Sequence, residues 1–495
     1  MQFIFAIYSC KKNLDIKTKL LHTLLKNKLN HCKIYIIYGD ETLSTDYEII
    51  DNNYLVLKCG DLYENLSQKT LCLFSTIAKI HPEVKGVFKC DDDILPNIKK
   101  INELIDFVLH SDYIPYLGFR LEHHCDFYYD ESIHKMTHEK YKKPLLAHRC
   151  IFTGGPFYYL SMDSVCKLNN MPIVHEIMQD PIDYMFEDDM IGYLLNQHDI
   201  FPVDYKTYFD EISDYRHGCV QNIDNRIRNL YVYIHGGFGN QLFQIAMGFE
   251  LAKKHNRFLI LLYRTNDIVH NTSVTEFFST IFSEFNYIDE VEVDLSRVIK
   301  CQEDKCFDYY PNIIEHPDYD YYLRGYFQNK RYLDVYKPEL LQMFCEYRNK
   351  AMDGLFEKYP YLHNSYFIHI RRGDYIGHPL YTFDVDTYIN VAISYILKKE
   401  KDQTPHFYIF SNDIGFCKTY PVLENIEKTF IEDLDTLGSF YSMSLCRKGG
   451  ICANSTFSGW ATMLNDNPEK TVIVPKNWIN FDYPYEIPFD YTVSF

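Results

Sequence analysis

At 495 residues the chain has room for roughly three domain-sized units or two larger ones, and 46% hydrophobic against 24% charged residues excludes a disordered chain. A formal charge of −18 argues against a general nucleic-acid binder, which needs a surplus of Lys and Arg on its binding face, but allows a local basic pocket for one small phosphorylated ligand. Fifteen Cys, an odd count without C-x-x-C pairs, argue against a disulfide framework or a zinc site of standard spacing, and fit a reducing compartment.

The opening "MQFIFAIYSCKKN" lacks a basic leader segment and a small-residue cleavage site, so its apolar stretch reads as a first buried strand. No apolar run reaches the roughly 18–20 residues of a membrane span. The expectation is a soluble, cytoplasmic protein, with a viral or bacterial setting suggested by the lack of an anchor.

Next come "CKIYIIYGD", "NYLVLKCGD", "GVFKCDDD" and "YIPYLGF", short apolar runs separated by amphipathic stretches. This alternation predicts an α/β unit whose strands end in polar or acidic residues, the end where ligands of open α/β sheets collect. Around 218–230, "GCVQNIDNRIRNL" loses the periodicity. The predicted organisation is one domain over 1–222, a linker over 223–230 and a second α/β domain over 231–495. The second begins with the strand, Gly-rich turn and helix of "YVYIHGGFGNQLFQIAMGFELAKKH" and continues through "RFLILLY", "YFIHIRRGDY", "HFYIFSND", "GGICANSTFSGWATML" and "KTVIVPKNW". A break over 350–364 is expected to separate two halves of this second domain.

Two places carry chemistry. Asp91, Asp92 and Asp93 follow the apolar Val87 and Phe88, while Pro96 ends strand pairing. Carboxylates this close repel one another unless a cation neutralises them, and a hard divalent ion held there keeps part of its coordination for phosphate. A bare run of three Asp is otherwise a solvated loop, and "EDD" at 187–189 is otherwise acidic residues at a helix N-terminus. In the second domain, Gly236, Gly237 and Gly239 sit at a strand-to-helix turn, where backbone N–H groups can meet an anion. Arg371 and Arg372 adjoin at a strand exit and suit a phosphate clamp, or else pair with Asp374 and hold a turn.

The company of the aspartates sharpens the first reading. "DLYENLSQKT" (61–70), "CDDD", "FTGGPFYYLSMDSV" (152–165) and "FEDDMIGYLL" (186–195) occur in an order that resembles the β-1,3-galactosyl- and N-acetylglucosaminyltransferase-like enzymes of GT-A fold, over about residues 30–217. The resemblance implies a single Rossmann-like domain using a UDP-sugar, with Asp91, Asp93 and His217 holding Mn²⁺ and Asp92 and Asp40 near the donor. It makes Asp188 the general base for the acceptor hydroxyl, with Glu187 as the alternate. The stretch 119–150, rich in His and charge, departs from that family.

"GGFGNQLFQIA", "LRGYFQNKRYL" (323–333), "HIRRGDY", "FSND" (410–413) and "NSTFSGWATML" (454–464) together resemble the α-1,2-fucosyltransferases of glycosyltransferase family 11, over about residues 229–480. That resemblance implies a GT-B fold of two Rossmann-like halves, GDP-fucose as donor and no obligatory metal. Arg371 would stabilise departing GDP, Arg372 would support the loop, and His369 and Asp413 would lie near the guanine. Ser455, Thr456 and Phe457 would close around the phosphates, with Gly239 and Asn240 beside fucose and acceptor; Asp374 is the nameable base. Asn412 and Gly459 depart from the family pattern, which has Asp and Trp there.

The combined expectation is a bifunctional glycosyltransferase building a fucosylated glycan on an oligosaccharide or glycoconjugate acceptor. Two rivals treat the first half as a metal-dependent phosphohydrolase or as a sugar-binding module feeding the fucosyltransferase.

Overall fold

The run Phe3–Tyr8 forms β1, and all six of its side chains are buried because helices cover both faces of its sheet. Ile4, Ala6 and Tyr8 pack on one side with Leu71, Phe74 and Ile77 of the helix Leu66–Ile80. Phe3, Phe5 and Ile7 pack on the other with Ile101, Leu104 and Ile105 of the helix Ile98–His110, as the two-residue strand period requires. The structure, a computed structural model, describes residues 1–14, 18–92, 94, 96–129, 145–204, 228–265, 268–269, 272–333, 335–401 and 403–495. The chain divides into two compact units, Met1–Asn225 and Arg226–Phe495.

In the first unit β2 (Cys32–Gly39), β3 (Tyr47–Ile50), β4 (Tyr54–Leu57), β5 (Gly86–Asp91), β6 (Tyr116–Glu122), β9 (Ile151–Ser161) and β10 (Val203–Asp204) join β1 in one sheet of order β10-β6-β9-β5-β1-β2-β4-β3. A small separate pair is made by β7 (Phe127–Tyr129) and β8 (Leu145–Ala147). Both β2 and β5 run parallel to β1, so the exits of all three lie at one edge.

The sheet is mixed, for β3 runs antiparallel to β4 and β9 runs antiparallel to its neighbours. Much of "FTGGPFYYLSMDSV" lies in this 11-residue strand, antiparallel to both β5 and β6, and the helix Met162–Asn169 follows it. Its nearly unbroken burial leaves no alternation from which a direction could be read. Gly192 lets the helix Glu187–Asn196 lie directly on this strand, for a Cβ at 192 would come within 2.2 Å of the Phe152 Cβ.

The second unit has two parallel sheets. The first contains β11 (Arg228–Tyr233), β12 (Arg257–Tyr263), β15 (Asn286–Asp289), β16 (Ile299–Gln302) and β17 (Tyr321–Arg324) in the order β15-β12-β11-β17-β16. A hairpin of β13 (Ile268–Val269) and β14 (Thr272–Ser273) stands apart. The second sheet contains β18 (Ser365–Ile370), β19 (His406–Ser411), β20 (Glu427–Phe430), β21 (Gly449–Ile451), β22 (Thr471–Val474) and β23 (Val493–Ser494). Its order, β20-β19-β18-β21-β22-β23, is the 3-2-1-4-5-6 arrangement of a Rossmann sheet.

The first sheet's last strand in the chain ends at Arg324 and the second sheet begins at Ser365; the helix Lys337–Lys358 and a short turn, Leu362–Asn364, lie between them, so the helix runs through the first part of the expected 350–364 break. Leu242, Phe243 and Ala246 of the helix Phe238–Lys254 share one core with Phe440 and Trp460, which joins the two sheets through their helices. Arg228–Leu230, expected in the linker, already belong to β11 because they pair with Arg257–Leu259; the remainder of that linker, 223–227, lies outside the described residues. Among the described residues no helix is long and apolar enough to cross a membrane.

Candidate active sites

Asp91 ends β5, and the residue that organises its surroundings is Lys89, two positions earlier on the same strand. The Lys89 side chain is 3% exposed, and its ammonium donates to Asp91 Oδ1 at 2.7 Å, to the Gly155 carbonyl at 2.7 Å and toward Glu187 Oε2 at 3.4 Å. Burial works against that charge, but Asp91 and Glu187 outweigh it and raise the Lys89 pKa. Glu187 is buried, and its other oxygen accepts from the Tyr158 and Thr70 hydroxyls.

Asp188 is half-buried, and its Oδ2 accepts from the Gly155 amide at 3.2 Å. Burial pushes both carboxyls above the ordinary carboxylate range, with Lys89 opposing the shift in each. The acidic strand end and the "EDD" turn are thus brought together around one ammonium and one glycine. Of these two carboxyls, Asp188 is the more exposed, whereas Glu187 is held by the structure on both oxygens.

Asp92 turns inward. Its Oδ2 accepts from Ser9 at 2.7 Å and from Asn13 and Thr18 at 3.2 Å, which ties the β1 exit to β5. Asp92 is expected near the donor beside Asp91, and one of its oxygens has its partners inside the protein, among hydroxyl and amide donors. Asp40, at the β2 exit, accepts from the Thr42 amide and hydroxyl and is near Lys11 at 3.3 Å; the Thr42 bonds first, then Lys11, bring its pKa down to about 2. Asp93 and His217 lie outside the described residues.

The motif reading passed over Lys89 and gave no role to Asp61 and Lys69, both part of "DLYENLSQKT". Asp61 accepts from the Gly39 amide at 2.8 Å and from Lys69 Nζ at 3.0 Å, and Lys69, 2% exposed, also reaches the Ser9 carbonyl at 2.8 Å. The available signal was a lysine inside an apolar run, as in "GVFKCD", which is stable only with a partner. Also unforeseen is Asp189, 2% exposed, around which His123, His148 and Cys150 gather.

In the second unit a cavity of about 780 Å³ is lined by Gly236–Gln241, His369, Arg371, Asp374, Asn412 and Asn454–Phe457, among others. Two helices begin at its wall, Phe238–Lys254 after Gly237 and Thr456–Leu464 after Ser455, and neither first turn is capped by the side chain of its N-cap residue. Gly239 allows the two ends to meet, since a Cβ there would come within 2.6 Å of the Thr456 carbonyl carbon and the Phe457 amide nitrogen. Asn240 joins them to the first sheet's loops: its Oδ1 accepts from Gln328 Nε2 and Thr456 Oγ1, both at 2.9 Å.

Arg371 donates to Asp374 Oδ1 at 2.7 Å, and both line the cavity. His369 is 6% exposed, and burial followed by the Arg371 charge lowers its pKa to about 3, so it presents a neutral ring. Gly239, Asn240, His369, Ser455, Thr456 and Phe457 all line the cavity. Arg372 and Asp413 do not. Arg372 Nε donates to Asp413 Oδ2 at 3.1 Å while its guanidinium lies 3.5 Å from the Phe416 ring centre, and Asp413 Oδ1 accepts from the Phe416 amide to cap the helix Ile414–Lys418.

Both Asp413 oxygens are so engaged, and Phe410, Ser411 and Asn412 of "FSND" line the wall without it; the Asn412 side chain also pairs with the Arg372 backbone. The space that Gly459 leaves is taken by Phe489, whose ring would lie 2.2 Å from a Cβ there. A second recess of about 800 Å³, lined by Lys330, Lys476 and residues of the 484–494 segment, contains none of the candidate site residues.

The family model described as Glycosyl transferase family 11 matches residues 219–486, and the one described as Galactosyltransferase matches residues 16–206. An α-1,2-colitosyltransferase of Escherichia coli is 26% identical over 277 residues, 49% of this chain and 90% of the relative. A human UDP-GalNAc:β-1,3-N-acetylgalactosaminyltransferase 1 is 26% identical over 162 residues, 33% of this chain and 42% of the relative, so this chain spans less than half of that protein. The solved structure of fucosyltransferase NodZ from Bradyrhizobium is similar at 14% identity and a TM-score of 0.31, covering 48% of this chain and 94% of that one. With one family matching more than half of its residues and a galactosyltransferase match in its first half, the chain belongs to glycosyl transferase family 11.

Proposed function

We propose that the protein is a bifunctional glycosyltransferase. Its first unit, of GT-A type, transfers a hexose or N-acetylhexosamine from a UDP-sugar with the help of Mn²⁺. Its second unit, of GT-B type, transfers fucose from GDP-fucose in α-1,2 linkage to a galactose-type acceptor. The α-1,2 activity in the name of the E. coli relative supports that linkage.

The observation that carries this reading is the cavity where Arg371 and the first turns of two helices face one volume. Free N–H groups and a guanidinium suit a diphosphate, and they act most strongly as negative charge develops on its leaving oxygen. Arg371 serves as that cation, and Asp374 sets its orientation through their ion pair. His369, neutral through burial, lines the same cavity without adding a competing charge.

In the first unit, Asp91 offers the oxygen chemistry a hard ion takes, on a side chain 30% exposed at a strand end. Asp93 and His217 would complete the set, and the ion would neutralise the donor diphosphate when bound. Asp188 takes the acceptor hydroxyl proton onto a carboxylate that burial makes more basic than usual. Glu187 and Lys89 hold the turn that presents it.

The test is release of UDP and GDP by the full chain, with product analysis and with or without a chelator. Chelation is expected to abolish UDP-sugar transfer and spare GDP release. Asp188→Asn should remove the first activity alone, and Arg371→Ala the second alone. Metal-dependent GDP release, or UDP-sugar turnover yielding only free sugar, contradicts the reading.

A further inference from the structure

Among the described residues, one group of His, Cys and acidic side chains has its ligating atoms close enough to share an ion: His123, Cys150 and Asp189, all within 4.8 Å of one another. It is separate from the acidic strand end. His123 follows β6 and Cys150 precedes β9, and the antiparallel pairing places them opposite each other, with the His123 amide donating to the Cys150 carbonyl at 2.9 Å. Asp189 enters from the first turn of the helix Glu187–Asn196, which lies directly on β9.

The two distances from Asp189 are close to the edges of a coordination polyhedron. Tetrahedral zinc with ordinary bond lengths sets ligand–ligand edges of about 3.3 Å for nitrogen and oxygen and about 3.5 Å for sulfur and oxygen. Asp189 Oδ1 lies 3.0 Å from His123 Nδ1 and 3.5 Å from Cys150 Sγ. The first pair needs a shift of a few tenths of an ångström, and the His123 and Cys150 donor atoms, within 4.8 Å of one another, close to about 3.5 Å around the ion.

The surroundings also match. A ligating carboxylate is normally held by outer hydrogen bonds, and Asp189 Oδ2 accepts from His148 Nδ1 at 2.9 Å and from the His148 amide at 3.1 Å. The His123 ring is packed by Phe127 and Phe152 with centroids at 4.8 and 4.6 Å, and that of His148 by Tyr184 and Tyr193 at 4.8 and 4.3 Å. Cys150 and Asp189 are 4% and 2% exposed, so an ion between them is largely removed from bulk water.

We propose that His123 Nδ1, Cys150 Sγ and Asp189 Oδ1 bind a zinc ion that clamps β6 and β9 to the turn carrying Asp188. Thiolate and imidazole ligands favour zinc over a hard ion such as manganese, so this site differs in chemistry from one that holds a diphosphate. Binding releases the Cys150 thiol proton and uses the Nδ1 lone pair of the His123 tautomer protonated on Nε2, and water takes the fourth position. The inference is independent of which reaction the first unit performs.

The full-length protein, stripped with a chelator and dialysed, is titrated with Co²⁺ and Zn²⁺. The expected result is a thiolate-to-cobalt absorption that saturates at one ion per chain, is displaced by Zn²⁺, disappears in Cys150→Ser and is lost or greatly weakened in His123→Ala. His148→Ala should weaken Zn²⁺ binding by about 10- to 100-fold, the usual cost of removing an outer-shell partner. Asp91→Asn should leave the absorption intact. Zinc should raise the Tm of the unaltered protein. Absence of the absorption in the unaltered protein overturns the proposal whatever the variants do. So does its persistence in Cys150→Ser, or its loss in a folded Asp91→Asn variant.

Discussion

Lys89 Nζ lies 3.4 Å from Glu187 Oε2 while donating to Asp91 at 2.7 Å, so one buried ammonium couples the end of β5 to the turn that carries Asp188. Replacing Lys89 by Met leaves Glu187 buried without its cation. The expected loss of stability is about 3–5 kcal/mol, the usual cost of breaking a buried ion pair by removing one partner. Hydrogen exchange resolved by peptide should show it in β1, β5 and β9 and leave β18 and β19 unchanged. A loss comparable to that of a surface pair, below about 1 kcal/mol, would mean that the ammonium is not needed there.

With Asp188 as the proposed base, the activity proposed for the first unit has a pH dependence whose sign follows from burial. Its folded pKa lies above the ordinary 3.8, so the carboxylate form needed to accept a proton appears only above that pH. UDP release should rise along an acid limb with a midpoint above 3.8, and Asp188→Asn should lower the rate by about 10²- to 10⁴-fold. The same shift favours the protonated folded form, so this group's contribution to stability is present at low pH and falls as pH rises through the raised value. A limb centred at or below the ordinary value would assign the base elsewhere.

Arg371→Lys should behave as a severe substitution although charge is kept. A single ammonium cannot reproduce the planar fork that meets phosphate oxygens while also holding Asp374. The expected fall in kcat for GDP release is about 10²- to 10³-fold, with KM for GDP-fucose affected less. A variant with unchanged kcat and raised KM would make Arg371 a binding residue only.

Glu303 supplies a pH-sensitive support for the wall of the second cavity. Its oxygens accept from the Tyr326 and Phe327 amides, yet burial pushes its pKa up to about 7 from 4.5. A raised carboxyl contributes stability that is fully present below the unfolded value of 4.5 and is lost as pH rises to about 7, by up to about 1.4 kcal/mol per pH unit. Urea unfolding across this window should show the decline in the second unit, and Glu303→Gln should flatten it. A stability that rises over the same interval contradicts the assignment.

The apolar runs were sufficient to locate β1, β2, β4, β5, β18 and β19, because strands buried on both faces must be written almost entirely in hydrophobic residues. The direction of β9 was not legible in the same way: burial on both faces removes the alternation, and antiparallel pairing depends on residues far away in sequence. Motif spacing named Asp188, Arg371 and Thr456, since those residues occupy strand exits and helix starts that local sequence can mark. It could not foresee that Arg372 and Asp413 would pair with each other and leave Asn412 at the wall, for that depends on a 3.1 Å contact across the adjacent exits of β18 and β19.

The three aspartates of "VFKCDDD" and the two arginines of "HIRRGDY" already announced opposite charges at two strand exits, because short-range order alone places a residue at the end of a strand. What those charges meet was settled by folding. Lys89 gathers Asp91 and Glu187, Ser9 draws Asp92 inward, and Asp189 collects His123, His148 and Cys150 from segments that sheet register brings side by side. Electrostatic and hydrogen-bond partners are selected by distance in space, and distances of 3 Å between residues far apart in the chain exist only once strands and helices have packed.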